Sequence, residues 1–242
     1  MSQKENYHIR RSARAKRARI IVTAEKIEVV APLRMPEKQI HQFVAAKQVW
    51  LESAKNKVQR HVENIARFSP AEYKEGALVP YQGERYALAI KSSQNKQIKI
   101  TFEQGFIAYV PESFLANLSS EELSDHIRRA FIHWMAEVAA KKSAFYINKY
   151  EALYQLSSRS ITIKEQKSRW GSCGIHNDIN LNWLLILAPA EILEYVAIHE
   201  LCHIQERNHS AAFWLLVAKH CPNYKYHRGW LKQHGASLML GL

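Results

Sequence analysis

No acidic residue follows Glu206 in this 242-residue chain, and only two aspartates, Asp125 and Asp178, occur in the whole of it. Any metal-ligand set drawn from the C-terminal end must therefore do without a downstream carboxylate. Long apolar runs are missing as well. The longest, around residues 184–188 and 213–218, are sized for a short helix or strand. They fall well below the roughly 18 residues that span a bilayer, so no membrane partner is expected. Cysteine is scarce: Cys173, Cys202 and Cys221 are odd in number and scattered, which excludes a disulfide framework and favours a reducing cytoplasm. Arg10-Arg11 is not followed by an apolar h-region, so neither a Sec nor a twin-arginine signal is expected. Low-complexity tracts, repeats of fixed period and a Gly-rich phosphate-binding loop are absent too.

What the chain has in excess is positive charge. The formal net charge of +12 is unevenly spread, with 14 basic against 5 acidic side chains over residues 1–60. Residues 61–113 are balanced at six each, and 114–242 hold 14 against 11. The density peaks at Arg10, Arg11, Arg14, Lys16, Arg17 and Arg19. Such a patch can meet phosphate backbones, but no aromatic residue interleaves the arginines to stack a base. Weak, non-specific nucleic-acid contact through one solvated face of a β-strand is the expectation.

One run carries specific chemistry: residues 199–209 read His-Glu-Leu-Cys-His-Ile-Gln-Glu-Arg-Asn-His. In a helix, His199 and His203 project from one face, one turn apart. Two imidazoles so placed can chelate one zinc ion, with Glu200 beside them to handle a proton. In a chain with 12 His and 20 Glu, H-E-x-x-H arises by chance in about one case in twenty, and with a further His at 209 in roughly one in four hundred. Ile192, Leu193, Val196, Ala197, Ile198, Leu201 and Ile204 make the segment a buried helix. Polar groups placed there cost several kcal/mol unless they are paired or bound to metal. The third ligand follows by exclusion. Glu206 reads as a solvated helix-end charge, and His220, His227 and His234 have no matching spacing, which leaves His209 where the chain can turn back. Three protein ligands keep one position for water, as a catalytic site does. Cys173 and Cys202 read as packing residues.

The blocks Lys167–Cys173, Leu181-Asn182-Trp183, His199–His203, Asn208-His209-Ser210 and Phe213-Trp214 resemble the YgjP-like metallopeptidase-domain family, which is distantly similar to SprT-like zinc proteases. They span about residues 160–231, with weaker agreement in the basic N-terminal strand region and around Val49-Trp50. The resemblance implies a zincin-type fold in which His199, His203 and His209 bind zinc and Glu200 is catalytic. The histidine spacing equals that of metzincins, but Glu206 stands where their glycine would be and no Met-turn follows. The chain is therefore set apart from metzincins.

The expected chemistry is metal-assisted hydrolysis of a peptide or protein substrate: zinc lowers the pKa of its water towards about 7, and Glu200 takes the proton. Tyr224, Tyr226, His227 and Arg228 are oxyanion donors by position only. Two other readings stay open. One is zinc-dependent hydrolysis of a nucleotide phosphoanhydride; the other is a non-enzymatic, nucleic-acid-associated module with structural zinc, in which Glu200 would have no use as a base.

The fold class expected is α+β, with a zincin-like catalytic domain over 114–242 in which the motif helix lies against a small β-sheet. A β-rich N-terminal region over 1–113, with one long helix at about 36–66, precedes it. Strands are expected at 19–22 and 26–30. A helix then opens at Pro36 with Ile40, Phe43, Val44, Lys47 and Trp50 on one face, continuing through Val58, Val62 and Ile65. Further strands fall at 78–81, 86–90, 98–102 and 106–110. Ser119 or Ser120 starts a helix that runs to about residue 150, striped by Ile127, Phe131, Trp134, Met135 and Val138. His133 is expected in its core or at the boundary. Ile161–Ile163 reads as a strand, and Trp170–Gly174 with Asp178–Leu187 as a hairpin leading through Pro189 into the motif helix. In zincin folds a strand there lies along the cleft and can pair with an extended substrate. Arg169 and Trp170 immediately precede it, each with a structural role as the alternative.

Overall fold

Ile27, Val29 and Ala31 alternate along one strand and all three are buried, as period-2 patterning requires of a strand with one face on a core. In the computed structural model, which describes residues 7–22, 26–63 and 68–242, this strand belongs to the first of two compact units, Met1–Ala66 and Arg67–Leu242. In the first unit β3 (Ile27–Pro32) lies between β1 (His8–Ser12), which runs parallel to it, and the antiparallel β2 (Arg19–Val22). Helix α1 (Glu37–Ala45) adds Ile40 and Val44, one turn apart, to the core, and α2 (Gln48–Glu63) adds Leu51. The single helix expected from 36 to 66 does not form. It breaks at Ala46-Lys47, which resets the helical phase, so Leu51 is buried and Trp50 is 51% exposed. The side chains of Val58 and Val62, and the whole of Ile65, lie outside the described residues.

The units part at residue 66, not at 113, because the strands of residues 78–111 share a core with the helix that follows them. These strands are β4 (Leu78–Tyr81), β5 (Glu84–Ser93), β6 (Lys99–Phe102) and β7 (Phe106–Pro111). They pair in the order β4-β5-β7-β6, parallel at β5–β7 and antiparallel elsewhere. After α3 (Glu112–Asn117), α4 (Ser120–Tyr154) starts in a capping box: the Glu122 N–H donates to Ser119 Oγ, and the Ser119 N–H donates to the Glu122 carboxylate. Ile127, Phe131, Met135 and Ala139 recur every fourth residue on its buried face. Phe131 meets Phe106 of β7 edge-to-face at 5.0 Å, joining sheet and helix in one core. His133 differs from expectation. Two positions on from Phe131 it faces the opposite side of the helix, where its side chain is 81% exposed and lies 3.2 Å from Glu137.

A second sheet, β8 (Ser160–Lys164), β9 (Gly171–Cys173) and β10 (Asp178–Asn182), has the order β8-β10-β9 and places β9 at an edge. β10 is parallel to β8 and forms an antiparallel hairpin with β9. The expected strand to residue 187 stops at Asn182. Trp183–Leu187 forms a 3₁₀ turn, all of it buried, and a uniformly apolar run carries no periodicity to tell the two apart. Asn182 locks the junction, accepting the Leu184 N–H at 3.1 Å and donating to the carbonyl of Gln166 at 2.8 Å.

The tight β4–β5 turn then fixes the entry of α5 (Ala190–Gln205). Gln82 and Gly83 donate to the carbonyls of Ile186 and Leu187 at 2.9 and 3.0 Å. Gly83 has φ 86°, and a Cβ there would come within 2.8 Å of Pro189 Cγ, so only glycine fits. Helices α6 (Ala211–His220) and α7 (Tyr224–Leu238) complete a mixed α+β fold. Among the described residues, no helix is long and apolar enough to cross a membrane.

Candidate metal centre

Helix α5 buries Ile192, Leu193, Val196, Ala197, Ile198 and Leu201, and its two histidines emerge together because 199 and 203 are one turn apart. The helix ends at Glu206, whose extended backbone (φ −119°) turns the chain away, and Ser210 then caps α6 by accepting the Phe213 N–H at 3.2 Å. The turn between them returns His209 to the first two histidines. Its Nε2 lies 3.0 Å from His199 Nε2 and 3.2 Å from His203 Nε2. The three candidate ligand atoms lie within 4.8 Å of one another, and no cysteine or carboxylate joins them among the described residues.

The rings are held in place by their packing. His203 stacks on Phe213 at 4.4 Å and His209 on Trp214 at 5.5 Å. His203 Nδ1–H donates to the Glu206 carbonyl at 2.9 Å, which leaves its Nε2 lone pair directed at the cluster. His199 Nδ1 is buried and has no hydrogen-bond partner among the described residues. Burial, helped by the neighbouring imidazoles, holds His199 down at about 3 and lowers His203 as well. Both are therefore neutral with a free lone pair near pH 7, the state a cation needs.

Glu200, the residue after His199 on α5, lines the same cleft as the histidines and is 5% exposed. Burial pushes its carboxyl up to about 8, against the pull of the Arg169 guanidinium and the backbone N–H of Cys173. The carboxylate lies directly against β9. A Cβ on Gly171 would come within 2.6 Å of Glu200 Oε1 and 2.7 Å of its Cγ, so glycine at 171 is what lets the carboxylate occupy this position.

An open cleft of about 740 Å³ is lined by these groups together with β9, Trp214, Arg228 and Lys232. That volume suits a ligand of several residues' side chains. Of the four oxyanion donors named from sequence position, only Arg228 lines it. Tyr224 stacks behind Trp214 at 5.4 Å, His227 is buried beside Tyr195, and Tyr226 is 66% exposed to solvent. His220 and His234 lie against Tyr154 and Trp230, away from the cluster. Cys202 is packed in the core, and Cys173 borders the cleft on β9. Trp170 combines the two roles weighed for it: it lines the cleft and packs on Gly235 of α7.

Sequence reasoning passed over Arg207. Its guanidinium donates to the Gly174 carbonyl at 2.8 Å, the Ile175 carbonyl at 3.4 Å and Asn177 Oδ1 at 2.5 Å, clasping the β9–β10 turn to the loop that carries His209. Nothing local in the sequence marks it, since its partners lie 30 or more residues away. In the N-terminal unit, Arg10 is 3.0 Å from Glu28, and Arg11 donates to the carbonyls of Pro32, Leu33 and Met35. Arg14, Lys16, Arg17 and Arg19 have side chains at the surface of that unit.

No curated protein matches the chain significantly. Residues 16–234, covering nearly all of the sequence and every group of the cluster, match one family over their whole length, and the chain belongs to it: the YgjP-like family, metallopeptidase domain.

Proposed function

We propose that the protein is a zinc-dependent metallopeptidase of zincin type, with His199, His203 and His209 holding the ion and Glu200 moving the proton. The observation that carries this reading is the convergence of three Nε2 atoms beside a buried carboxylate one residue along the same helix. The donors fit the ion: three imidazoles form a borderline-soft set, and three protein ligands are the number a catalytic zinc site uses. When bound, zinc supplies a Lewis acid that polarises a carbonyl and makes water nucleophilic near neutral pH.

The chain's own groups supply the rest. A cation held by the three histidines would favour the ionised form of the buried Glu200 carboxyl, and that carboxylate takes the proton of the attacking water and gives it to the leaving amine. Its place beside Gly171 keeps it desolvated and in one position, and the Cys173 N–H orients it. Among the described residues β9 is an edge strand and lines the cleft, so an extended peptide can add to it by main-chain hydrogen bonds at the groups that Glu200 does not occupy. Membership of a metallopeptidase family supports the same chemistry. The test is hydrolysis of a mixed peptide pool by the zinc-loaded full chain and by Glu200→Gln. Glutamine keeps size but accepts no proton, so activity should fall by at least about 10²-fold while zinc content stays the same. Full activity in Glu200→Gln with zinc in place would overturn the assignment of Glu200.

A further inference from the structure

The charged side chains of the cleft are almost all of one sign. Among the described residues Glu200 is its only acidic residue, and it is buried. The other fixed charges on its wall are Arg207, Arg228 and Lys232. They belong to a C-terminal stretch, 207–242, that carries five Lys and Arg and no Asp or Glu. No neighbouring acid can therefore neutralise them from within that stretch.

The three cations are not equivalent. Arg207 gives its N–H groups to the β9–β10 turn. Arg228 gives none to any protein acceptor among the described residues. Its guanidinium instead lies 4.7 Å over the ring of Trp214. That indole also stacks with the Tyr224 ring at 5.4 Å and with the imidazole of His209 at 5.5 Å. The planar fork is thus fixed against an indole that also packs on the His209 ring, while its edge N–H groups stay available. Lys232 follows one turn later on α7, on the same face and on the same cleft wall. An oriented guanidinium with unused donors, backed by an ammonium, is built to receive a two-oxygen anion.

We propose that Arg228, assisted by Lys232, is a substrate-binding residue that receives a carboxylate of the peptide close to the bond being cut. The proposal rests on the metallopeptidase reading above and gives its substrate class: peptides with either a free C-terminal carboxylate or an Asp or Glu side chain next to the scissile bond. Both sources present the same planar anion to the fork. A phosphate-bearing substrate is disfavoured because the sequence holds no Gly-rich phosphate-binding loop to share its charge.

The experiment uses the zinc-loaded full chain carrying Glu200→Gln, so that binding is read without turnover, by titration calorimetry or by tryptophan fluorescence. The probes are an N-acetylated alanine tetrapeptide with a free C-terminus, the same peptide amidated, and an amidated peptide carrying one internal Glu. Inorganic phosphate is the fourth. At least one of the two anionic peptides should bind about tenfold or more tighter than the neutral amide, and which one does so identifies the source of the carboxylate. Arg228→Gln should erase that preference, Arg228→Lys should keep part of it, and Lys232→Gln should reduce it less. On the catalytic background, Arg228→Gln should raise KM for the anionic peptide with little change in kcat. Equal binding of charged and neutral peptides would overturn the proposal, as would tighter Arg228-dependent binding of phosphate than of carboxylate. A uniform fall in kcat for all peptides would equally overturn it, since that marks a group acting on the transition state. If the chain cleaves no peptide yet binds carboxylates through Arg228, the peptidase reading fails and takes the scissile-bond part of this proposal with it, while carboxylate binding by Arg228 stands.

Discussion

Between Arg10 and Arg19 six cations follow one another closely in the sequence, whereas Arg207, Arg228 and Lys232 come to the cleft from a loop and a helix. The dense cluster is partly consumed by the fold: Arg10 pairs with Glu28, and Arg11 holds the carbonyls that follow β3. The dispersed set contains the one guanidinium of the cleft that is both oriented and unused, that of Arg228. Charge that is close in sequence is thus a poor guide to charge that acts together. What decides is whether each cation already has a partner, and the order of residues does not reveal that.

The comparison breaks most visibly at the metal site. His203→Ala should lose zinc and hydrolytic activity together, and should lower the melting temperature because metal binding contributes to folding free energy. The triple substitution Arg14→Ser, Arg17→Ser, Arg19→Ser should leave zinc content and hydrolysis at the wild-type level. Metal analysis alongside the peptide assay checks both, and activity lost through the N-terminal triple variant would reverse the ranking of the two regions.

Gly171→Ala comes next. Its new Cβ must displace the Glu200 carboxylate, not merely the end of a loose chain, because Cγ is also within 2.7 Å. A shift of about 1 Å in a catalytic group can cost about 10²-fold in rate, so kcat should fall by that order with zinc retained. Unchanged kcat in Gly171→Ala would show that Glu200 need not sit where it does.

The site and the fold were legible in the sequence to different degrees, for physical reasons. The convergence of His199 and His203 follows from helical geometry alone, and His209 follows from the absence of acids beyond Glu206 together with a helix end at Gln205. The capped start of α4 and the strands of residues 78–111 were also readable, because caps and alternation are local. The break between α1 and α2 was not, since Ala46-Lys47 contains no Gly or Pro and only the burial of Leu51 in place of Trp50 reveals it. Gly171 and Arg207 were illegible for a related reason: each acts on a residue about 30 positions away. Composition could place the boundary at 113 because charge and strand density change there. The Phe106–Phe131 contact overrides it.

Smaller effects sharpen the contrast between used and unused cations. Arg11→Ala removes charge-assisted bonds to three backbone carbonyls, and because the site is exposed the loss should be only about 1 kcal/mol, measured by urea unfolding. Removing Arg14, Arg17 and Arg19 should leave stability alone but flatten the salt dependence of any nucleic-acid binding, by up to about one unit of log–log slope for each phosphate no longer neutralised. Tight, sequence-selective binding would show that this face does more than screen charge.

The smallest expected effect concerns Arg159 and Ser160, which hold the Asp178 carboxyl at about 2, below the ordinary carboxylate value. A pKa depressed in the folded state gives stability that is complete above the unfolded value, about 3.9, and is lost as pH falls through about 2. Arg159→Ala should therefore lower stability slightly at neutral pH. The gap to wild type should narrow as pH falls from ~4 through ~2 and close only below that, where Asp178 is protonated in both. Urea unfolding across that range checks it, and a deficit that persists undiminished at pH ~2 would point to packing instead.

The central claim, that three histidines form one zinc site beside a catalytic carboxylate, is tested most directly by zinc-edge X-ray absorption on the full chain and on His209→Ala. The account predicts three nitrogen ligands at about 2.0–2.1 Å and no sulfur in the wild type. One histidine should be lost from the shell, with weaker zinc retention, in the variant. A sulfur scatterer, or a shell unchanged by His209→Ala, would contradict it.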